Sequence, residues 1–237
     1  LAREAQRKYG AERVAIVDNL STGVRGLVPE AAFFVSGNVG DENLIRDVIR
    51  KRGITAVIHF AGSIVVPESV ADPLLYYRNN TLASHTLISA CVAEGVQNFI
   101  FSSTAAVYGT ASVPLINEAV VQAPINPYGR STLMTEWMLE DTARAHDCRY
   151  IALRYFNVSG ADPKGRTGQS TPRATHLIKR ACQAALGRID ALEIFGTDFE
   201  TPDGTGIRDY IHVSDLVPAH LLALDALRAG AGSDVFN

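Results

Sequence analysis

Short runs of consecutive apolar residues alternate with helix-length segments along this chain. The runs are rich in valine, isoleucine and phenylalanine, and they lie at 14–17, 33–35, 56–60, 98–101 and 150–153. Consecutive rather than alternating apolar residues are typical of strands that are covered on both faces. Buried strands separated by helices predict an α/β fold with a doubly wound parallel, Rossmann-like sheet.

Capping residues mark the ends of several predicted helices. One helix begins after Asp41 and ends at Gly53, because aspartate is a common N-cap and glycine a common C-cap. Another helix is predicted at about 81–95. Residues 1–10 have the pattern of the end of an earlier helix, which closes at Tyr9 and Gly10.

The pattern changes after residue 156, where long polar loops begin. A loop at 157–172 precedes a predicted helix at about 173–186, a short strand at 193–195 and a second loop through 202–206. A strand at 210–213, a helix at 214–228 and the start of a strand at 235–237 follow. Long loops in compact domains are more often functional than decorative. We therefore predict a dinucleotide-binding domain at 1–156 and a smaller, loop-rich substrate lobe at 157–237, which also contains elements of the Rossmann-like domain.

The sequence predicts that both ends of the fold are incomplete. In dinucleotide-binding folds an acidic residue after the second strand binds a ribose hydroxyl, about 20 residues after the Gly-rich turn. Asp18 fits that position, and 20 residues before it falls ahead of Leu1. We therefore expect the first strand and the phosphate-binding glycines to be missing here. At the other end the sequence stops at the start of the strand predicted at 235–237, so we expect the last segment of the substrate lobe to be missing as well.

Composition and charge exclude several classes of function. The 237 residues include 22 basic and 25 acidic side chains, which are scattered and give a net charge of −3. This distribution argues against a nucleic-acid partner or a membrane surface, and no apolar run reaches the ~18 residues of a membrane span. The three cysteines are far apart, which indicates free thiols in a reducing, cytoplasmic setting. The six histidines lack metal-ligand spacing, so we predict no metal site and treat His59 and His212 as strand residues.

Four segments carry residues that could perform chemistry. Tyr128 and Thr132 share one face at the start of a predicted helix, where a tyrosine is either an acid/base or a packed aromatic residue. Thr104 follows a buried strand. Its hydroxyl either binds a ligand, at the edge where open α/β sheets do so, or satisfies strand-end backbone groups. The small residues at 61–63 either admit a cofactor or form a tight turn. Arg208 suits a phosphate, although a surface ion pair is the commoner role of such an arginine.

Five motifs in a fixed order are more specific than any one of these segments. They are Asp-Asn-Leu-Ser-Thr-Gly at 18–23, Phe-Ser-Ser-Thr at 101–104, Asn-Pro-Tyr-Gly-Arg-Ser at 126–131, Leu-Arg-Tyr-Phe-Asn at 153–157 and Asp-Gly-Thr-Gly-Ile-Arg-Asp-Tyr-Ile-His-Val at 203–213. In this order they resemble the UDP-glucose 4-epimerases of the extended short-chain dehydrogenase/reductase family. The resemblance spans essentially the whole chain.

The resemblance implies an enzyme with bound NAD and a UDP-sugar substrate. In such enzymes the sugar C4 hydroxyl is oxidised and the hydride is then returned to the opposite face, which interconverts UDP-glucose and UDP-galactose. Tyr128 matches the family's proton acceptor and donor, and Thr104 matches the hydroxyl that also bonds the sugar O4. The family further implies a homodimer, packed through helices such as those at 81–95 and 130–146.

The same resemblance implies the residues of both binding sites. The cofactor-binding residues would be Asp18, Asn19, Leu20, Ser21, Thr22, Gly23, Asn38, Val39, Phe60, Ala61, Gly62, Ser63, Ile64, Asn79, Tyr128 and Phe156. The substrate-binding residues would be Thr104, Tyr128, Asn157, His176, Leu177, Glu193, Phe195 and Arg208.

Four positions distinguish this chain, two from related families and two from the usual pattern of its own. Dehydratases and decarboxylases on this fold carry an acid just after the strand-end hydroxyl, where this chain has Ala105 and Ala106, so epimerisation is favoured. The adenine-contacting aspartate is replaced by Asn38, and the lysine of the Tyr-x-x-x-Lys pattern is replaced by Thr132. In the family that lysine binds the nicotinamide ribose and lowers the pKa of the tyrosine. A catalytically silent dinucleotide or nucleotide-sugar binding protein is therefore the alternative hypothesis.

Overall fold

A computed structural model describes residues 1–110, 113–171 and 176–237. In these ranges the strands are short and all of their pairings are parallel. The strands are β1 (Ala15–Asp18), β2 (Phe33–Ser36), β3 (Ala56–His59), β4 (Asn98–Thr104), β5 (Arg149–Tyr155), β6 (Asn157–Ser159), β7 (Tyr210–His212) and β8 (Asp234–Phe236).

Helices connect these strands and cover their faces. They are α1 (Ala2–Tyr9), α2 (Glu42–Arg52), α3 (Val66–Ala71), α4 (Pro73–Tyr76), α5 (Ala83–Ala93), α6 (Pro127–Ala145), α7 (Leu177–Ala185) and α8 (Val213–Arg228). Short 3₁₀ turns lie at Ala11–Arg13, Arg25–Leu27 and Ala105–Tyr108, and a π-helical turn lies at Tyr77–Leu82. None of the helices in the described ranges is long and apolar enough to cross a membrane.

The central sheet has the strand order β3-β4-β5-β8. Successive residues of a strand point to opposite faces, and β4 packs on both sides accordingly. Phe99 and Phe101 join a core cluster with Leu87 of α5. Ile100 joins a second cluster with Leu224 of α8. The central sheet therefore has helices on both faces, as the consecutive apolar residues predict.

Strands β1 and β2 form a two-stranded sheet of their own, in which Val17 lies opposite Val35. In the described part of the chain this sheet shares no hydrogen-bonded strand pair with β3. Val17 nevertheless packs against the core cluster that contains Ile45 of α2. The expectation that a first strand and a Gly-rich turn are missing remains a prediction.

The predicted helix caps are confirmed. The Leu44 amide donates to Asp41 Oδ1 over 3.1 Å at the start of α2. Gly53 ends that helix with φ 57°, a left-handed conformation that favours glycine. Helix α6 begins in the same way, because the Gly129 amide donates to Asn126 Oδ1 over 2.9 Å.

Other predicted elements need correction. The strand predicted at 193–195 is wrong, because this segment has no regular structure and Ile194 is 69% exposed. In the described ranges it pairs with no other strand, and an apolar segment without a neighbouring strand gains little from the extended conformation. The helix predicted at 173–186 covers Leu177–Ala185, and residues 173–175 lie outside the described ranges. The helix predicted at 81–95 begins as the π-helical turn and continues as α5.

Candidate active site

A cavity of about 40 Å³ lies at the carboxyl ends of β3 and β4, beside the first turns of α6. This is the edge at which open parallel sheets bind ligands. The cavity is lined by Phe60, Ala61, Gly62, Ser63, Ile64, Asn80, Ser84, Phe101, Ser102, Tyr128, Thr132 and Thr135. The structure thus brings five predicted cofactor residues together with Tyr128.

The loop after β3 is held by two consecutive asparagines. The side-chain amide of Asn79 donates to Ser63 Oγ over 3.1 Å. Asn80 Oδ1 accepts from the Ser63 amide over 2.7 Å, and Asn80 Nδ2 donates to the Ser63 carbonyl over 3.0 Å. Both asparagines lie in the π-helical turn, and both reach Ser63 from it.

Tyr128 lies in the first turn of α6, and burial raises the pKa of its phenol. The nearby Thr104 hydroxyl partly offsets this increase in the pKa. Thr104 ends β4, and its Oγ1 also accepts from the Ala106 amide over 3.1 Å. The edge of the Tyr76 ring packs against the Tyr128 ring, with the ring centres 6.4 Å apart. The tyrosine therefore faces the sheet edge and contacts the hydroxyl that the resemblance indicates.

Thr132 follows Tyr128 by one helical turn and also lines the cavity. Its side chain is buried, and its hydroxyl donates to the Tyr128 backbone carbonyl over 2.9 Å. Within the described ranges, no lysine or arginine lines the cavity. Burial therefore acts on the Tyr128 phenol without a neighbouring cation to oppose it.

Two further contacts form the base and one side of the cavity. His59 Nε2 and Ser84 Oγ share a hydrogen bond of 2.8 Å, and burial lowers the pKa of His59 to about 4. The Ser102 hydroxyl is hydrogen-bonded to the Tyr155 phenol. Sequence analysis predicted His59 as a strand residue, which is confirmed, but it missed Ser84 and Ser102. Serines give no distinctive sequence signal in a helix or a strand.

The segment after β1 folds around the carboxylate of Asp18. The Leu20 amide donates to Asp18 Oδ1 over 2.6 Å, and Leu20 adopts a positive φ of 58°. A Cβ at Gly23 would lie only 2.9 Å from the same oxygen, so a larger residue would displace this carboxylate. In the described chain Asp18 Oδ2 accepts no hydrogen bond. That oxygen is free to accept from a ribose hydroxyl.

Asn38 has a local role in the structure. Its Oδ1 accepts from the Gly40 amide over 2.8 Å, while Val39 packs against the core cluster between α2 and α5. Asn38 therefore shapes the turn that precedes α2.

Of the predicted substrate residues in the described ranges, Tyr128 lines the cavity and the others do not. Asn157 Nδ2 donates to the Asp209 carbonyl over 3.0 Å, which links β6 to the segment before β7. His176 Nδ1 pairs with Gln169 Nε2 over 3.1 Å, and Arg208 Nη1 donates to the Ile207 carbonyl over 2.7 Å. Also exposed are the predicted substrate residues Leu177, Glu193 and Phe195. The predicted cofactor residue Phe156 is exposed as well. The roles implied for all of them remain predictions.

A buried ion pair that sequence analysis missed lies behind the candidate site. Glu136 of α6 accepts from Arg154 of β5 and from the Ser103 hydroxyl of β4. Arg154 Nη1 also donates to the Tyr108 phenol over 2.8 Å. The pair joins α6 to β4 and β5, and its partner Ser103 directly precedes Thr104.

Comparison with known proteins establishes the family. The model of the NAD dependent epimerase/dehydratase family matches residues 1–237. The chain belongs to this family. It is 59% identical over 221 residues to the UDP-glucose 4-epimerase of Azospirillum brasilense. The match covers 93% of this chain and 64% of that protein. It is 44% identical to the UDP-glucose 4-epimerase of Streptococcus mutans, over 96% of this chain and 69% of that protein.

Solved structures of this family have the same fold. The UDP-glucose 4-epimerase from Brucella ovis in complex with NAD matches with a TM-score of 0.91 and 47% identity, over 96% of this chain and 73% of that one. The UDP-glucose-4-epimerase from Stenotrophomonas maltophila, with bound NAD and formylated UDP-arabinopyranose, matches with a TM-score of 0.92 and 34% identity. That match covers 99% of this chain and 72% of the other. The Rossmann-like fold expected from the sequence is confirmed.

Proposed function

We propose that this protein interconverts UDP-glucose and UDP-galactose with bound NAD. The observation that carries the proposal is the contact between Tyr128 and Thr104 beside a cavity lined by the loop after β3. The loop, the tyrosine and the hydroxyl come from three separate elements, and they meet at the edge where open parallel sheets bind ligands. The 59% identical A. brasilense protein is a UDP-glucose 4-epimerase.

The residues of this chain fit NAD. Asp18 presents one carboxylate oxygen beside Gly23, and the small residues Ala61 and Gly62 allow a ligand to approach the backbone beyond β3. Asn79 and Asn80 hold that backbone in place. When bound, NAD supplies the acceptor for the hydride of the sugar C4 and returns that hydride.

Tyr128 and Thr104 handle the proton. Tyr128, as its phenolate, takes the proton of the C4 hydroxyl while the hydride leaves, and returns it when the hydride comes back. Thr104 hydrogen-bonds the sugar O4 and orients it toward Tyr128. Ala105 and Ala106 provide no acid for elimination, so the 4-keto sugar is reduced rather than dehydrated.

The nucleotide half of the substrate is held by the loop-rich lobe. Arg208 offers a planar guanidinium for the diphosphate, a geometry that forms paired hydrogen bonds. Asn157 binds the substrate from β6, and the remaining contacts come from His176, Leu177, Glu193 and Phe195. The exposure of Phe195 and Arg208 is compatible with residues that become covered when a ligand binds.

We further propose a cytoplasmic homodimer. Leu82 and Trp137 are 59% and 52% exposed, and they lie at or in the two helical segments expected to form the interface. Large exposed apolar side chains favour association. The cysteines of the chain are free thiols, as a reducing compartment requires. Analytical ultracentrifugation of Trp137→Glu should show monomers where the unaltered protein sediments as a dimer, and a monomeric unaltered protein would contradict the dimer.

The function is tested by incubating the protein with NAD and UDP-galactose at pH 9 and following the anomeric protons by NMR. UDP-glucose should form with the unaltered protein and at a far lower rate with Tyr128→Phe. Formation of a dehydrated or decarboxylated sugar would contradict the proposal. NAD and UDP-sugar binding without any conversion, also in Thr132→Lys, would favour the alternative of a catalytically silent binding protein.

A further inference from the structure

Tyr76 is a buried residue that touches two parts of the candidate site without lining its cavity. It ends α4, its side chain is fully buried, and it is absent from the cavity lining in the described ranges. Its ring packs against Tyr128 of α6. Its phenol reaches Val65, at the end of the loop after β3. The residue therefore joins the proposed base to the loop that we propose for the cofactor.

The phenol of Tyr76 holds Val65 at both of its backbone polar groups. The Val65 amide donates to Tyr76 Oη over 2.8 Å, and Tyr76 Oη donates to the Val65 carbonyl over 2.6 Å. Glu68 of α3 is a second acceptor for the phenol, at 2.8 Å. A phenol has one proton, so it donates fully to only one of two acceptors. Glu68 is exposed and can bond to water instead, so the contact with Val65 is the one that restrains the chain.

The end of this loop depends on such a contact from outside. Val65 directly follows residues 60–64, which line the cavity, and it precedes the six-residue helix α3. Its own side chain accepts no hydrogen bond, and α3 begins without a side-chain cap. Asn80, one helical turn after Tyr76, holds the amide and carbonyl of Ser63 in the same way. The loop is therefore held at two points, and Tyr76 supplies the second.

The ring of Tyr76 restrains the proposed base. Its centre lies 6.4 Å from that of the Tyr128 ring, and the two ring planes meet at 83°. This is an edge-to-face arrangement, which aromatic pairs favour. The contact limits the movement of the Tyr128 ring relative to α4. A single side chain thus contacts the base with one end and the loop with the other.

From these contacts we propose that Tyr76 is a positioning residue, which holds the cofactor loop at Val65 through its phenol and the Tyr128 side chain through its ring. The proposal rests on the proposed roles of that loop in binding NAD and of Tyr128 as the base. A loop that is already ordered loses less conformational entropy when a ligand binds. Tyr76 therefore raises the affinity for NAD through the loop, and it orients the base through the ring.

Tyr76→Phe separates the two contacts, because it keeps the ring and removes the phenol. The variant should fold, since Val65 is 39% exposed and water can bond to its backbone groups. Without NAD, the Val65 amide should exchange with solvent about tenfold faster by NMR, while the amides of β4 keep their rates. Calorimetric titration should show NAD affinity about three- to tenfold lower. Unchanged exchange at Val65, or an equal increase in β4, would overturn the proposal.

Turnover of UDP-galactose at pH 9 tests the contact with the base. At saturating NAD, Tyr76→Phe should keep kcat within about twofold, because the ring remains. Tyr76→Met fills most of the same space without a flat ring, so its kcat should fall about tenfold or more as the base loses its orientation. Equal kcat values for these two variants, or a tenfold loss already in Tyr76→Phe, would overturn the role of the ring.

Tyr77→Phe is the matched control, because it removes a neighbouring phenol that makes none of these contacts. It should match the unaltered protein in amide exchange, NAD affinity and kcat. A loss of NAD affinity equal to that of Tyr76→Phe would contradict a specific role of Tyr76.

The two proposals fail in different ways. If the unaltered protein converts UDP-galactose but Tyr76→Phe leaves Val65 exchange and NAD affinity unchanged, the positioning role is refuted and the proposed function stands. If Tyr76→Phe loosens Val65 and weakens NAD binding but no variant converts UDP-galactose, the proposed function is refuted and the hold of Tyr76 on the loop stands.

Discussion

The hydroxyl of Thr132 donates a hydrogen bond of 2.9 Å to the backbone carbonyl of Tyr128, one turn earlier in α6. This bond directs the hydroxyl proton along the helix and away from the phenol. The nearby Thr104 hydroxyl lowers the pKa of the phenol, and burial outweighs this effect. The candidate site therefore has the geometry for proton transfer but lacks the electrostatics of an efficient base at neutral pH.

We predict that the unaltered protein is slow at pH 7 and accelerates with increasing pH. Burial raises the pKa of Tyr128 above the ordinary value of 10, so the base form decreases about tenfold for each pH unit below that pKa. The logarithm of kcat/KM for UDP-galactose should rise with a slope near one between pH 7 and pH 10. A rate that is independent of pH over this range would contradict the role of Tyr128.

Thr132→Lys should raise turnover at pH 7 and shift the pH profile to lower values. A cation one turn from Tyr128 favours the phenolate, and a general base of suitable pKa contributes about 10²–10⁴-fold to a rate. Adding Tyr128→Phe to this variant should remove most of the gain. The prediction fails if the unaltered protein already converts UDP-galactose at pH 7 as fast as Thr132→Lys.

Acid should destabilise the protein through His59. Its pKa falls from 6.5 to about 4 on burial, so the unfolded chain binds a proton that the folded chain excludes. The stability that this difference contributes is fully present above pH 6.5 and is lost as the pH falls toward 4. The free energy of unfolding should fall by about 3 kcal/mol in total. Urea unfolding between pH 7 and pH 4 should show this loss in the unaltered protein and a smaller one in His59→Gln. Parallel curves for the two proteins would refute the prediction.

The ion pair between Glu136 and Arg154 should be needed for folding. Both side chains are buried, so Glu136→Gln leaves an uncompensated guanidinium in the core, at a cost of about 3–5 kcal/mol. Glu140→Gln is the matched control, because Glu140 pairs with Arg144 on the surface of the same helix. That exposed pair contributes less than about 1 kcal/mol. Similar unfolding free energies for the two variants would contradict this account of the pair.

Asp18→Asn should weaken NAD binding about tenfold or more without loss of stability. The change removes a charged acceptor, and a hydrogen bond to a charged group contributes about 1.5–3 kcal/mol. Asp47→Asn is a suitable control, since Asp47 lies on α2 and pairs with Lys51 on the surface. Calorimetric titration with NAD should separate the two variants, and equal affinities would remove Asp18 from the cofactor site.

Patterns over consecutive residues made most of the fold predictable. The apolar runs located five strands, and Asp41 and Gly53 marked both ends of α2, because capping depends on local backbone groups. The family resemblance assigned the segment Phe60–Ile64 and Tyr128 to one cofactor site, and both line the same cavity. The apolar segment around Ile194 was misread as a strand, since sequence does not show whether a neighbouring strand exists.

Features that depend on tertiary packing were not predictable. The π-helical turn that contains Asn79 and Asn80 has no composition signature. The Glu136–Arg154 pair joins residues 18 positions apart on different elements. Each residue alone resembles an ordinary charged surface position, and only the packing of α6 against the sheet buries both.

The central claim is that a hydride leaves the sugar C4 and returns to it beside Tyr128. The direct measurement uses UDP-galactose carrying deuterium at C4, incubated with Thr132→Lys and NAD at pH 8, with mass spectrometry of the separated product. The account predicts UDP-glucose that retains the deuterium, because the same hydride returns to the same carbon. UDP-glucose that has lost the deuterium to solvent, or a 4-keto sugar as the end product, would contradict it.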